Sequence, residues 1–151
     1  MIDKVVDASA IVALLFNEQR REEIVPRLRN ATLRAPSLVG FEVANACLKK
    51  IRAALAERQA LLEAFSLFGA LSIAPVTVDL DAAIALAERT KLSLHDASYL
   101  WLADALGAEL VTLDDMPART RICAAPDRDA RLSAPQAQVA PFAEWWLTVL
   151  C

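Results

Sequence analysis

The sequence predicts an α/β fold, a three-layer α/β/α sandwich around a mostly parallel central sheet. Three observations carry this. Short apolar runs that read as strands recur with two helical stretches between successive ones, and such alternation builds parallel sheets with helices on their faces. The chain shows no internal repeat. Its 151 residues suit one domain with a single core.

Taken in order, Ile2–Val6 reads as the first strand, with Val5 and Val6 at its apolar end. Asp7 then precedes Ala8–Phe16, an Ala/Leu-rich helical stretch, and the polar break Asn17–Arg21 leads to a further turn or two over Glu22–Leu28. Leu33–Ala35 is a short second strand before Pro36. Ser37 is expected to cap the next helix, where Val39, Val43, Ala46 and Cys47 recur at helical spacing. Ala53–Phe68 reads as another helix, with Gly69 just past its end. Leu71–Val76 reads as the third strand, which Pro75 confines to a sheet edge. Asp79 caps a helix to about Thr90. Ser93-Leu-His-Asp96 opens a helix through Leu106, stopped by Gly107, and Glu109–Leu113 is the fourth strand.

The last third differs. Pro117, Pro126, Pro135 and Pro141 fall there, with Arg119, Arg121, Arg128 and Arg131. Arg121–Ala124 reads as a last short strand and Phe142–Cys151, with Trp145 and Trp146, as a terminal helix. The expectation is one domain over residues 1–151, with an untypical extension from about 117.

Composition narrows the function. Hydrophobic residues make up 56% of the chain, enough to expect apolar surface covered by a partner or a second copy. A net charge of −3 argues against a simple basic nucleic-acid binder. It leaves room for a nucleic-acid enzyme, because divalent cations bound at an acidic site change its local charge. Cys47, Cys123 and Cys151 are widely spaced and His95 is the single histidine, so neither a zinc site nor a disulfide framework is expected. Asp3 and Asp7 beside Lys4 do not read as a signal peptide, and no apolar stretch approaches the roughly 20 residues of a membrane span. A cytoplasmic protein with no membrane partner is the expectation.

Acidic residues carry the chemistry. Asp7, Asp96 and Asp114 each stand beyond an apolar run or at the start of a helix. Each has an ordinary reading: Asp7 as an N-cap, Asp96 as the acid of a Ser-x-x-Asp capping box, Asp114 and Asp115 as turn residues. Glu42 is different. It lies about a turn inside its helix within an apolar stretch, with Asn45 on nearly the same face. Open α/β sheets bind ligands beyond the carboxyl ends of their strands. Acids gathered there would repel one another unless a hard cation such as Mg²⁺ or Mn²⁺ bound among them. Ser9 could hydrogen-bond a carboxylate or a ligand water at the same place.

VVDASAIVALL at the start, then FEVANA, then LSLHDASYLWLADALGAELVTLDD resemble the PIN domain, and within it the VapC-type toxins of bacterial toxin–antitoxin pairs. The last block is the most specific: an acid opens a helix that leads through a Gly turn to a strand and a second acid in a V-T-x-D context. The resemblance runs from residue 1 to about 116 and implies a Mg²⁺- or Mn²⁺-dependent ribonuclease. By position the family's acids fall on Asp7, Glu42, Asp96 and Asp114, its small hydroxyl residue on Ser9, and Asp115 would be an additional or substitute ligand. The family also implies a homodimer and a small antitoxin whose C-terminal segment blocks the groove. Family members commonly end soon after the last acid; the Pro/Arg-rich extension ending in FAEWWLTVLC departs from that pattern.

On this reading Asp7, Asp96 and Asp114 are the metal ligands, directly or through water. Glu42 completes the shell or orients the attacking water, and Ser9, Asn45 and Asp115 support them. The Arg residues of the extension, with Lys49, Lys50 and Arg52, are candidate phosphate contacts, although a solvated side chain is the ordinary reading. Trp145 and Trp146 could stack bases, and Leu14, Leu15, Phe16 and Leu28 could receive a partner helix, although packing explains both sets. The RNA substrate would be a structured one such as tRNA. Two other classes stay open: a catalytically silent PIN-like RNA-binding or scaffold module, and an Asp-dependent phosphoryl-transfer enzyme, for which Ser9 stands where an Asp-x-Asp start needs its second acid.

Overall fold

The computed structural model describes residues 2–114. Among them the strands are β1 (Ile2–Val6), β2 (Ala31–Pro36), β3 (Ala74–Val76) and β4 (Glu109–Val111). The helices are α1 (Ala8–Leu15), α2 (Arg21–Leu28), α3 (Val39–Ala53), α4 (Arg58–Ser66), α5 (Leu80–Thr90) and α6 (Leu94–Leu106). The strand expected over Arg121–Ala124, the helix expected over Phe142–Cys151, the extension itself and Asp115 lie outside the described residues.

All strand pairings are parallel, in the order β3-β2-β1-β4. Val5 and Val6 are neighbours on β1, so their side chains point to opposite faces, yet both are fully buried. Helices therefore cover both faces, as a parallel sheet requires. α6 packs on β1, β2 and β4 with α5 against it, while α1 packs on α2 and α3, and α3 on α4. Ile11, Ile24, Val43, Tyr99, Leu102 and Val111 are buried in the core these elements share. Leu14, Leu15 and Leu28 are half-buried against it, which accounts for them by packing.

Strand order also places the site. The chain runs outward from β1 through β2 to β3, then returns to lay β4 on the other side of β1. That reversal is a topological switch, and the crevice beyond the carboxyl ends of the strands at such a point is where open α/β sheets bind ligands. Val6 pairs with Val111, and the Asp7 N–H donates to the Val111 carbonyl at 2.9 Å, so Asp7 and the segment after β4 leave the sheet side by side.

Several local expectations are corrected. Ser37 does not cap α3: the cap position is Leu38, and the Ser37 hydroxyl donates to the Val76 carbonyl instead. The Ala53–Phe68 helix is broken at Ala54, continues as a short 3-10 turn over Leu55–Glu57 and resumes as α4. The third strand, expected over Leu71–Val76, is shorter: Leu71 ends a second 3-10 turn, Leu67–Leu71, and β3 keeps only Ala74–Val76. Pro75 sits there on an edge strand, where its missing N–H interrupts no ladder. The fourth strand stops at Val111, and Thr112–Asp114 bends away. Gly107 ends α6 at φ 59, a left-handed conformation that glycine adopts without Cβ strain.

Candidate active site

Asp7 is the first residue past β1. Its extended backbone (φ −82°, ψ 156°) starts α1, and the residue is buried, 8% exposed. Oδ1 accepts the Ala8 N–H at 2.6 Å, and Oδ2 accepts the hydroxyls of Ser9 and Thr112, each at 2.8 Å. Both hydroxyls in turn accept from the backbone leaving β4: Ser9 from the Leu113 N–H at 3.1 Å, Thr112 from the Asp114 N–H at 3.0 Å. One buried carboxylate thus ties the start of α1 to the segment that carries Asp114.

Glu42 lies in the first turn of α3, its side chain 22% exposed. The buried Tyr99 hydroxyl donates to Oε2, and His95 Nδ1 stands 3.7 Å from Oε1. Burial raises the Glu42 pKa above the usual carboxylate range. The negative charges of Asp7 and Asp96 add to that, while the Tyr99 hydrogen bond and His95 oppose it. The Tyr99 hydroxyl is pushed far above its ordinary value, first by burial and then by Glu42, so it keeps its proton and serves as a donor at any working pH.

Asp96 stands at the third position of α6. Ser93 caps that helix, accepting the Asp96 N–H at 3.1 Å while its own hydroxyl donates to Asp96 Oδ2 at 2.7 Å. One arm of a capping box is therefore formed, and the carboxylate takes the serine proton rather than a backbone N–H.

Asp114, Ser9 and Glu42 line an open cleft of about 650 Å³, with Arg20, Gln19 and Glu18 on the side of the α1–α2 connection. Arg20 Nη1 donates to the Leu113 carbonyl at 2.7 Å, and its guanidinium also meets Glu23. Asn45 is exposed, and Ala46 rather than Asn45 lines the cleft. Lys50 is engaged by Glu18, one of the cleft's lining residues, at 2.6 Å, and lies over the Phe16 ring.

Glu42 thus feels the charge of Asp7 and Asp96, and Glu42 and Asp114 share the cleft. They do not form a ready cage: among the described residues no three Asp, Glu, His or Cys side chains are grouped closely enough to hold one ion. The reason is visible in the bonding, since both oxygens of Asp7 and one of Glu42 are occupied by protein donors. The donor chemistry nonetheless suits a hard divalent cation, because every side chain gathered is an oxygen donor and their mutual repulsion is what such an ion relieves.

Sequence reasoning did not single out Tyr99, Thr112 or Arg20. Tyr99 follows Asp96 by three positions, on the same helical face, and that spacing was the available signal. Thr112 lies two residues before Asp114. Nothing in the sequence marks Arg20.

The PIN domain pattern matches residues 4–122. The chain belongs to the PIN domain family. This PIN domain is 36% identical over 115 residues to Ribonuclease VapC3 of Pyrobaculum aerophilum, across 73% of this chain and 88% of that protein. Among solved structures, PAE2754 from Pyrobaculum aerophilum superposes with a TM-score of 0.61 at 26% identity, over 76% of this chain and 81% of the other. A chain of a toxin–antitoxin complex from Klebsiella pneumoniae gives a TM-score of 0.51 at 20% identity, over 74% and 86%. At that identity the second likeness speaks for the fold alone.

Proposed function

We propose that this PIN domain is a Mg²⁺- or Mn²⁺-dependent endoribonuclease, the toxin of a type II toxin–antitoxin pair, acting on structured RNA such as tRNA. The observation that carries the reading is that Glu42, raised by burial and then by Asp7 and Asp96, lines one cleft with Asp114. The similarity to a VapC ribonuclease supports it.

Asp7, Asp96 and Asp114 would hold the cation, directly or through water, and Glu42 would complete the shell. The bound ion supplies an acidified water and neutralises charge on the phosphate. This chain's own groups do the rest. Ser9 and Thr112 lock the Asp7 carboxylate, and the open cleft admits a phosphodiester. Glu42 Oε1, turned toward His95 rather than Tyr99, is the oxygen available to orient a water. Three donors on the Asp7 oxygens disfavour the alternative of an aspartyl nucleophile. The reading carries a cognate antitoxin, a homodimer and a cytoplasmic setting with it. No helix among the described residues is long and apolar enough to cross a membrane.

The test is incubation of a mixed tRNA and structured-RNA pool with the full chain in Mg²⁺, Mn²⁺ or EDTA, beside Asp7→Asn and Asp96→Asn. Discrete cleavage that needs the metal and disappears in both variants is expected. Absence of cleavage under every condition would sink the reading and leave an RNA-binding or scaffold role.

A further inference from the structure

Tyr99 is the single tyrosine of the chain and one of its largest fully buried side chains, 1% exposed. Core packing would be served as well by phenylalanine. What the hydroxyl adds is a link from α6 to α3: it donates to Glu42 Oε2, between residues 57 positions apart, with the Ala8 backbone also interacting at the hydroxyl. Among the described residues no buried side-chain nitrogen or oxygen lacks a partner, so this contact belongs to a fully satisfied polar arrangement.

The consequence is a carboxylate whose two oxygens differ. Oε2 is tethered inward to a donor that is itself held by the core. Oε1 is the other oxygen, with His95 Nδ1 at 3.7 Å, and Glu42 is one of the residues that line the cleft. A glutamate on a helix face otherwise samples several rotamers and presents either oxygen, and a hydrogen bond from a packed hydroxyl removes that freedom. α6 therefore delivers two groups to the site from one face: Asp96 itself and, three residues on, the tether for Glu42.

We infer that Tyr99 is a positioning residue, whose hydroxyl fixes Glu42 so that one defined carboxylate oxygen faces the cleft. The inference rests on the nuclease reading for its kinetic consequence, and on the metal-free fold for its geometric one.

The experiment compares the full wild-type chain with Tyr99→Phe and, as a gate, Asp7→Asn. Cleavage of the RNA pool in Mg²⁺ gives kcat and KM, and the Glu42 side-chain carboxyl carbon is followed by NMR in metal-free protein at fixed pH. The expected result for Tyr99→Phe is a kcat lowered about 10- to 100-fold, the range for loss of an outer hydrogen-bond partner. KM should stay within about twofold, the fold should be intact by thermal unfolding, and the Glu42 resonance should be displaced. Wild-type kcat in Tyr99→Phe, a loss confined to KM, or an unmoved Glu42 resonance would each overturn the assignment. If Asp7-dependent cleavage is absent altogether, the nuclease reading fails instead, and the carbon resonance still decides whether Tyr99 holds Glu42. Should Tyr99→Phe not fold, Tyr99→Met, which likewise removes the hydroxyl while filling the core, is carried through the same two measurements with the same criteria.

Discussion

Glu42 and Glu109 are the same residue type at opposite ends of the sheet, and the fold treats them in opposite ways. Glu109 opens β4, where Lys4 reaches it at 2.9 Å and Arg27 at 2.8 Å. Some burial acts against its charge, but the two cations outweigh it and hold its carboxyl below the usual range. Glu42 stands near the carboxyl end, where burial is joined by Asp7 and Asp96, and its pKa rises. The amino end of the sheet is neutralised by its own side chains. At the carboxyl end Glu42 has acids rather than cations as its charged strand-end neighbours, and burial with Asp7 and Asp96 outweighs the opposing Tyr99 hydrogen bond and His95. On the proposed nuclease reading, that contrast separates charge placed for stability from charge held for a ligand.

The largest effect expected to sharpen the comparison is on cleavage. Asp7→Asn and Asp96→Asn should each lower the metal-dependent rate by about 100-fold or more, measured as initial rates on the RNA pool. Glu109→Gln should leave that rate within about twofold, since it touches only the structural end. A Glu109→Gln variant as inactive as Asp7→Asn would break the division.

Next is the response to the ion itself. Saturating Mg²⁺ should raise the thermal unfolding midpoint of the wild type, because a ligand that binds only the folded chain stabilises it by about 2.7 kcal/mol at 100 times its Kd. Asp7→Asn should show little of that rise. An equal rise in both would remove Asp7 from the ion's surroundings.

Smaller, and opposite in sign, are the stability effects of the two glutamates. The Glu109 side chain is 35% exposed, so screening limits its pairs, and Glu109→Gln should cost about 1 kcal/mol in urea unfolding at neutral pH. Glu42→Gln should instead stabilise the metal-free chain by a few tenths of a kcal/mol up to about 1, because it removes a charge that folding disfavours.

The pH dependence follows from the directions of the shifts. The folded pKa of Glu42 lies above its unfolded value, taken as 4.5. Its penalty is therefore absent below that value, grows as pH rises through the folded pKa and persists at neutrality. The folded pKa of Glu109 lies below the same unfolded value. Its contribution is full above 4.5 and is lost as pH falls through the folded pKa. The Glu42→Gln gain should thus vanish on acidification before the Glu109→Gln loss does. The reverse order in paired urea titrations would contradict the environments described for both groups.

Much of this was legible in the sequence. Asp79, Ser93 and Gly107 mark helix ends by local chemistry, and the structure finds helix ends at each. Pro75 announced an edge strand because a missing N–H is a property of the residue alone. Ser37 misled because its hydroxyl had a competing acceptor in Val76, supplied by a neighbouring strand 39 positions away. The third strand began later than expected because Leu71 belongs to a 3-10 turn, and a short apolar run has no periodicity that separates strand from 3-10 turn. At the site, the acids could be named singly because each sits at a recognisable strand exit or helix start. Thr112 could not be assigned to Asp7, nor Tyr99 to Glu42, since those contacts span 105 and 57 positions.

By itself, then, the sequence determined which groups carry charge, where chain segments stop and turn, and that strands alternate with helices. Those properties depend on each residue and its near neighbours. Tertiary structure alone decided that β4 returns to the far side of β1, and with that which hydroxyls hold Asp7. It also decided that one glutamate lies among cations and the other among acids. A carboxylate's protonation and reach depend on what packs around it, and that is settled only when distant segments close on one core.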